Sequence, residues 1–173
     1  LQSLNIILRA GKSDLTVISV SWYAVFLTHK GLYEEGQQAA HLAFSLIQMY
    51  PRAKELSSSY NILSVMVSPY NLSYNRCIQN HQKGYETGLE NGEVARATIN
   101  LSNILLLRVS KGEPLPAVFE NAKAAQTLSQ NKSVFTPITT HILGLVSALI
   151  EPSDNAMKCL DVEAFSTPYM EAI

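Results

Sequence analysis

Two stretches of this chain carry the residue types from which a reactive centre is built. Cys77 and His81 stand four positions apart, the separation that stacks two side chains on one face of a helix. A histidine that takes a proton from a cysteine makes a thiolate nucleophile, but such a centre also needs a third group to orient the imidazole and an oxyanion hole. Amides in the middle of a helix are already bonded to carbonyls, so no hole is available there, and the pair reads as helix packing. Gly11-Lys12-Ser13 ends like a phosphate-binding loop. That motif also needs a preceding strand and a glycine at the position held here by Ile6, and a turn between helices accounts for the triplet. Ser147 has Gly144 nearby but lacks the G-x-S-x-G frame of a nucleophile elbow.

Metal and ligand chemistry finds no better footing. No two of His29, His41, His81 and His141 share the spacing of a helical metal site, and none has a carboxylate-rich neighbourhood. Cys77 and Cys159 lie far apart without a CxxC or Cys/His frame, as small half-buried side chains do. Glu34-Glu35 and the pair Glu90 and Glu93 read as solvated helix ends. Trp22, Tyr23, Phe26 and Phe44 are either an aromatic ligand box or helix-packing core, and core is the expectation. Three N-x-S/T triplets begin at Asn71, Asn100 and Asn131; Asn100 lies in an apolar helical run where a sugar would not fit, and all three read as chance. No cofactor or metal is expected, and no catalytic residue.

Composition narrows the partners. With 47% apolar and 16% charged residues the chain is apolar enough to bury a core. A formal net charge of −1, with scattered lysines and arginines, provides no field for nucleic acid. The longest apolar runs fall short of the ~20 residues of a membrane span. The expectation is a cytoplasmic chain with protein or peptide partners. The sequence starts at Leu1 in the middle of a pattern, as a piece of something longer would.

What must position these residues is a series of helices. Helix breakers recur at Gly11, Gly31, Pro51, positions 69–71, Asn91-Gly92, Gly112 with Pro114, Asn131 and Pro152. The steps are about 20 residues, each room for one helix of ordinary length and one short turn. In 33–50, Gly36, Ala39, Ala40, Ala43, Phe44 and Ile47 recur at spacings of three and four and share a face, and Glu34 and Glu35 suit the first turn. In 14–29, Ile18, Trp22, Val25 and Phe26 form a stripe, with Asp14 as cap and Gly31 as stop. In 73–90, Ser73 is a candidate cap, and Gly84 and Gly88, one turn apart, predict a close helix crossing. In 93–110 the helix is apolar on most sides. The stretch 115–129 has only a thin stripe of alanines, and 155–169 begins an eighth helix. No segment alternates polar and apolar residues, so no strand is expected. The predicted fold is all-α, seven to eight helices in pairs near 14–50, 53–90, 93–130 and 133–170, forming one array over residues 1–173. Two helices per unit give a period of about 40 residues, in the range of helical solenoids.

Gly31-Leu32-Tyr33-Glu34-Glu35-Gly36, followed by Ala39, Ala40 and Ala43, resembles the inter-helix turn and second helix of a tetratricopeptide repeat. The glycine ends the first helix, the aromatic wedges the pair, and small residues admit a neighbour. Gly36 stands where that family usually has alanine, and Pro51 comes a little late. Across the middle, positions 31–43, 64–70, Gly84-Tyr85-Glu86-Thr87-Gly88-Leu89-Glu90-Asn91-Gly92-Glu93 with Ala95 and Ala97, and Lys111-Gly112-Glu113-Pro114-Leu115 follow one order. That order is similar to the helical-repeat region of very large signalling proteins, over roughly residues 10 to 125. In those proteins a P-loop signal-transduction ATPase precedes the repeats, often with a protein kinase upstream and a sensor histidine kinase downstream. Glu93 departs from their usual aspartate.

The resemblance implies a right-handed superhelical stack of antiparallel hairpins serving as a protein-interaction and coupling scaffold. The alternatives are a free-standing adaptor that docks peptides or proteins and, behind it, a helical enzyme. In such an array the first helix of each pair lines the inner wall. Register from Gly31 and Gly112 places Ser21, Val25, Thr28, Ser102, Leu106 and Val109 on it, with Asn61 and Asn103 as polar additions.

Overall fold

A computed structural model describes residues 15–53, 55–131 and 137–150. Gly11-Lys12-Ser13, Asp14, Cys159, Pro152 and the helix expected over 155–169 lie outside the described residues. Within them the chain forms seven α-helices, one 3-10 turn and no strand. They are α1 (Thr16–His29), α2 (Tyr33–Met49), α3 (Leu56–Met66), the 3-10 turn Ser68–Tyr70, α4 (Tyr74–Glu90), α5 (Val94–Lys111), α6 (Leu115–Asn131) and α7 (Pro137–Ile150). The odd helices α1, α3 and α5 begin at Thr16, Leu56 and Val94, and the even helices α2, α4 and α6 at Tyr33, Tyr74 and Leu115. Both series step by about 40 residues, the length of a two-helix unit. Contacts divide the chain into two compact units, Leu1–Ile104 and Leu105–Ile173, with α5 contributing to both.

In the first unit α1 pairs with α2 and α3 with α4, and α1 also lies along α3. Its apolar core draws Val17, Val20 and Ala24 from α1, Ala40, Ala43, Leu46 and Ile47 from α2, and Leu56, Tyr60 and Leu63 from α3. Phe44 and Val25 pack against this cluster, and the Phe44 and Tyr60 rings lie 5.8 Å apart. Trp22 and Phe26, expected in the core, are instead 52% and 42% exposed. The reason is the breadth of the apolar surface on α1. Its buried positions are held by small, branched and hydroxyl residues, Thr16, Val17, Val20, Ser21, Ala24 and Thr28, which leaves the bulky rings outside. In the second unit α6 packs on α7. The alanines that made 115–129 hard to read are its buried face: Val118, Ala122 and Ala125 are all buried.

The turns explain why helices stop where they do. Gly31 has φ of +79° and Gly112 has φ of +81°. After α1, Gly31 donates its N–H to the Thr28 carbonyl and Leu32 to the Leu27 carbonyl; after α5, Gly112 donates to Val109 and Glu113 to Arg108. Both are the Schellman arrangement, in which a left-handed residue lets the chain return two N–H groups to the last turn. Glu34 and Glu35 occupy the first turn of α2. Ser73 holds the cap position of α4 in extended backbone, but its hydroxyl makes no capping bond.

Candidate functional site

The eight residues expected on an inner wall separate into three groups. Ser21, Thr28 and Ser102 are buried. Their hydroxyls donate to carbonyls one turn back, Ser21 to Val17 and Thr28 to Ala24 at 2.9 Å each, and Ser102 to Thr98 at 2.9 Å. They face helix packing, because a back-bonded hydroxyl is short and lets a neighbouring helix come close; they offer no free surface. Asn61 and Asn103 are brought together: the Asn103 amide donates to Asn61 Oδ1 at 2.7 Å and ties α3 to α5. Val25 is half-buried against the apolar core. In the second unit Val109 is half-buried and Leu106 is 43% exposed.

The most constrained place in the first unit is where α3, α4 and α5 meet. Gly84 and Gly88 face it from α4. A Cβ on Gly84 would stand 2.7 Å from both Tyr60 Cβ and Asn100 Oδ1, and one on Gly88 would stand 2.6 Å from Ser57 Oγ and 2.9 Å from Ala97 Cβ. The crossing predicted from the two glycines is therefore real, and it is filled by polar groups. Asn100, fully buried, donates from Nδ2 to the Ser57 carbonyl at 3.0 Å, to Ser57 Oγ at 3.1 Å and to the Arg96 carbonyl at 3.1 Å. Ser57 Oγ donates to the Gly84 carbonyl at 2.8 Å. His81, 1% exposed, lies 2.8 Å from Asn100 Oδ1 through its Nδ1. Three side chains and three backbone carbonyls thus satisfy one another across three helices, as buried polar groups must.

This geometry bears on the Cys77–His81 pair. Burial pushes the Cys77 thiol above its ordinary range and pushes the His81 imidazole below its own. Both shifts favour neutral forms, the reverse of a thiolate–imidazolium pair, and the ring's Nδ1 is committed to Asn100. Neither Asn100 nor Ser57 was singled out as a polar partner from sequence. The available signal was an asparagine inside an otherwise apolar helix, which requires a buried partner, but nothing in the text says which helix supplies it.

A second polar feature lies at the open end of α3. A cleft of about 320 Å3 is lined by Arg52, Ala53, Glu55, Asn91 and Glu93. Glu55 has φ of +61° and accepts a hydrogen bond from Ser58 Oγ at 2.7 Å. Burial and the neighbouring Glu55 charge raise the Glu93 pKa, against backbone hydrogen bonds from Ser57, Glu55 and Leu56 that lower it. Its Oε2 is buried without a hydrogen-bond partner. The sequence reading had Glu93 as a solvated helix end; it is instead half-buried, facing the first turn of α3, whose backbone N–H groups have no partner within that helix. Among the described residues no cluster of three or more His, Cys, Asp or Glu side chains is arranged for a metal, and no helix is long and apolar enough to cross a membrane.

Compared with known proteins, the chain matches no family model, no curated protein and no solved structure.

Proposed function

We propose that the chain is a protein-interaction and coupling scaffold, a tetratricopeptide-like array built as a right-handed superhelical stack of antiparallel hairpins. On this reading it is the helical-repeat arm of a cytoplasmic multidomain signalling protein with ATPase and kinase modules. The chain itself holds no catalytic residue and takes no cofactor. The observation that carries the reading is the recurrence of one contact: the first helix of a hairpin against the first helix of the next. It is made by α1 on α3, and again by α3 on α5 through Asn61–Asn103 and Ser57–Asn100. A unit that touches only its neighbours bends as one body and presents an extended surface to a partner, and a partner that binds one curvature better shifts the population toward it.

The reading is tested on the complete open reading frame. A P-loop motif upstream and a histidine-kinase core downstream are expected. A frame with neither removes the coupling version. A free-standing adaptor is the second reading, favoured by the exposed apolar residues Leu15, just before α1, and Trp22 and Phe26 on it. It predicts a stoichiometric protein partner on pull-down with no ATPase in the same polypeptide.

A further inference from the structure

We propose that the α3–α4–α5 junction is a proton-operated latch, closed while His81 is neutral and released at α4 when the buried ring takes a second proton. The hydrogen-bond pattern fixes where the first proton sits. Asn100 Nδ2 points at the carbonyls of Ser57 and Arg96 and at Ser57 Oγ. Turning the amide over would set its oxygen against two carbonyl oxygens, so Oδ1 is the atom that faces His81. An acceptor there requires a donor on the ring, and His81 Nδ1 carries the hydrogen. The neutral ring is therefore the Nδ1–H tautomer, and the next proton goes to Nε2.

That proton charges a ring that is 1% exposed. The bond to Asn100 offsets the cost of burial only in part, and the other groups turned toward this place bring no negative charge. From α3 come Ser57 and Tyr60, whose phenol burial keeps neutral by raising its pKa. From α5 come Asn100 and Ala97; Arg96 contributes its carbonyl, and its own side chain is exposed and positive. On α4 itself, Cys77 one turn before is a buried neutral thiol, Tyr85 one turn after is half-buried, and Lys83 and Glu86 are exposed, Glu86 accepting from Gln82. The 3-10 turn offers Tyr70, exposed and stacked on Tyr33. The carboxylates of the region, Glu55 and Glu93, sit at the first turn of α3, where Glu93 is engaged with backbone N–H groups of residues 55–57. No carboxylate belongs to the His81 network, so an imidazolium gains its solvation from water, which reaches the ring when α4 moves away from α3 and α5. The inference concerns this junction alone and does not rest on the scaffold reading.

Segment-resolved hydrogen–deuterium exchange on the whole chain between pH 8 and pH 5, corrected for intrinsic rates, tests it. Protection over 74–90 is expected to fall below the ordinary imidazole range near pH 6.5, by up to about tenfold per pH unit for one proton, while α1 and α2 hold. His81→Asn keeps an N–H donor near the Nδ1 position and removes the titration; α4 protection in this variant is expected to be flat with pH. Glu93→Gln is expected to retain the wild-type loss. Unchanged protection of α4 down to pH 5, or an equal loss in His81→Asn, overturns the latch. Should His81→Asn not fold, nitrogen NMR of the wild-type imidazole decides: a ring that titrates near 6.5 with α4 still protected also overturns it.

Discussion

The α1–α2 crossing and the α3–α4–α5 junction both bring helices together over glycine, and they fill the contact differently. At the first, Gly36 meets Thr28, whose hydroxyl is bonded back to its own helix at Ala24, and the surroundings are alanine and valine. A Cβ on Gly36 would meet Thr28 Oγ1 first. At the second, Gly84 and Gly88 meet Asn100 and Ser57, whose bonds run between helices. At the first contact the threonine bond stays within its own helix and sets no register between the two. The second has its register fixed, because displacement leaves several buried groups unpaired at once.

The largest expected effect follows from that difference. Asn100→Leu strands the His81 Nδ1–H and removes the side-chain bonds that tie Ser57 to α5, and should cost about 3 kcal/mol in urea unfolding, whereas Thr28→Val, which removes one local bond, should cost less than about 1 kcal/mol. Equal costs would erase the distinction. Next, Gly84→Ala must push against the Tyr60 β-carbon and the Asn100 amide together, and a loss of about 2 kcal/mol is expected.

The pH dependence of stability sharpens the comparison further. His81 has a folded pKa below 6.5, so the unfolded chain binds its proton first, and stability present above pH 6.5 is lost as pH falls through the folded value. The slope is at most about 1.4 kcal/mol per pH unit. Glu93 works in the opposite sense. Its folded pKa lies above the ordinary 4.5, so the folded state binds the proton more readily, and its penalty at neutral pH is relieved as pH falls through the raised value. Urea midpoints of wild type, His81→Asn and Glu93→Gln across pH 8 to 4 should separate the two: the first variant flattens the fall near pH 6, and the second removes the relief at lower pH.

The smallest effect belongs to the α1–α2 crossing. Gly36→Ala should cost about 1 kcal/mol alone and much less in a Thr28→Ala background, since the clash is with the threonine hydroxyl. Additive losses would mean that the backbone of Ala24 and Thr28, and not the hydroxyl, sets the limit.

How much of this was legible follows from what each residue declares locally. Gly31 and Gly112 announce helix ends by themselves, because a left-handed position after a helix favours glycine whatever the tertiary structure does. Gly84 and Gly88 announced a close crossing through their spacing, but not its partner. Phe44 was readable as core, yet Trp22 and Phe26 were not readable as exposed, since an apolar stripe on α1 names a face without naming what covers it. The His81–Asn100–Ser57 network was hidden for the same reason: its members are 19 and 43 residues apart in sequence, and only packing brings them together. Of the expected inner wall, Asn61 and Asn103 do meet, while the buried hydroxyls of Ser21, Thr28 and Ser102 show that register alone does not separate a wall from a seam.

The central claim is that hairpins in this chain are stabilised by their immediate neighbours. Native-state hydrogen exchange under increasing urea reads it most directly. If the claim holds, amides of α1–α2 and of α3–α4 open in contiguous blocks with different free energies and different urea slopes. If all helices exchange through one common opening with one slope, the chain is organised about a single shared core and the succession of neighbouring pairs is contradicted.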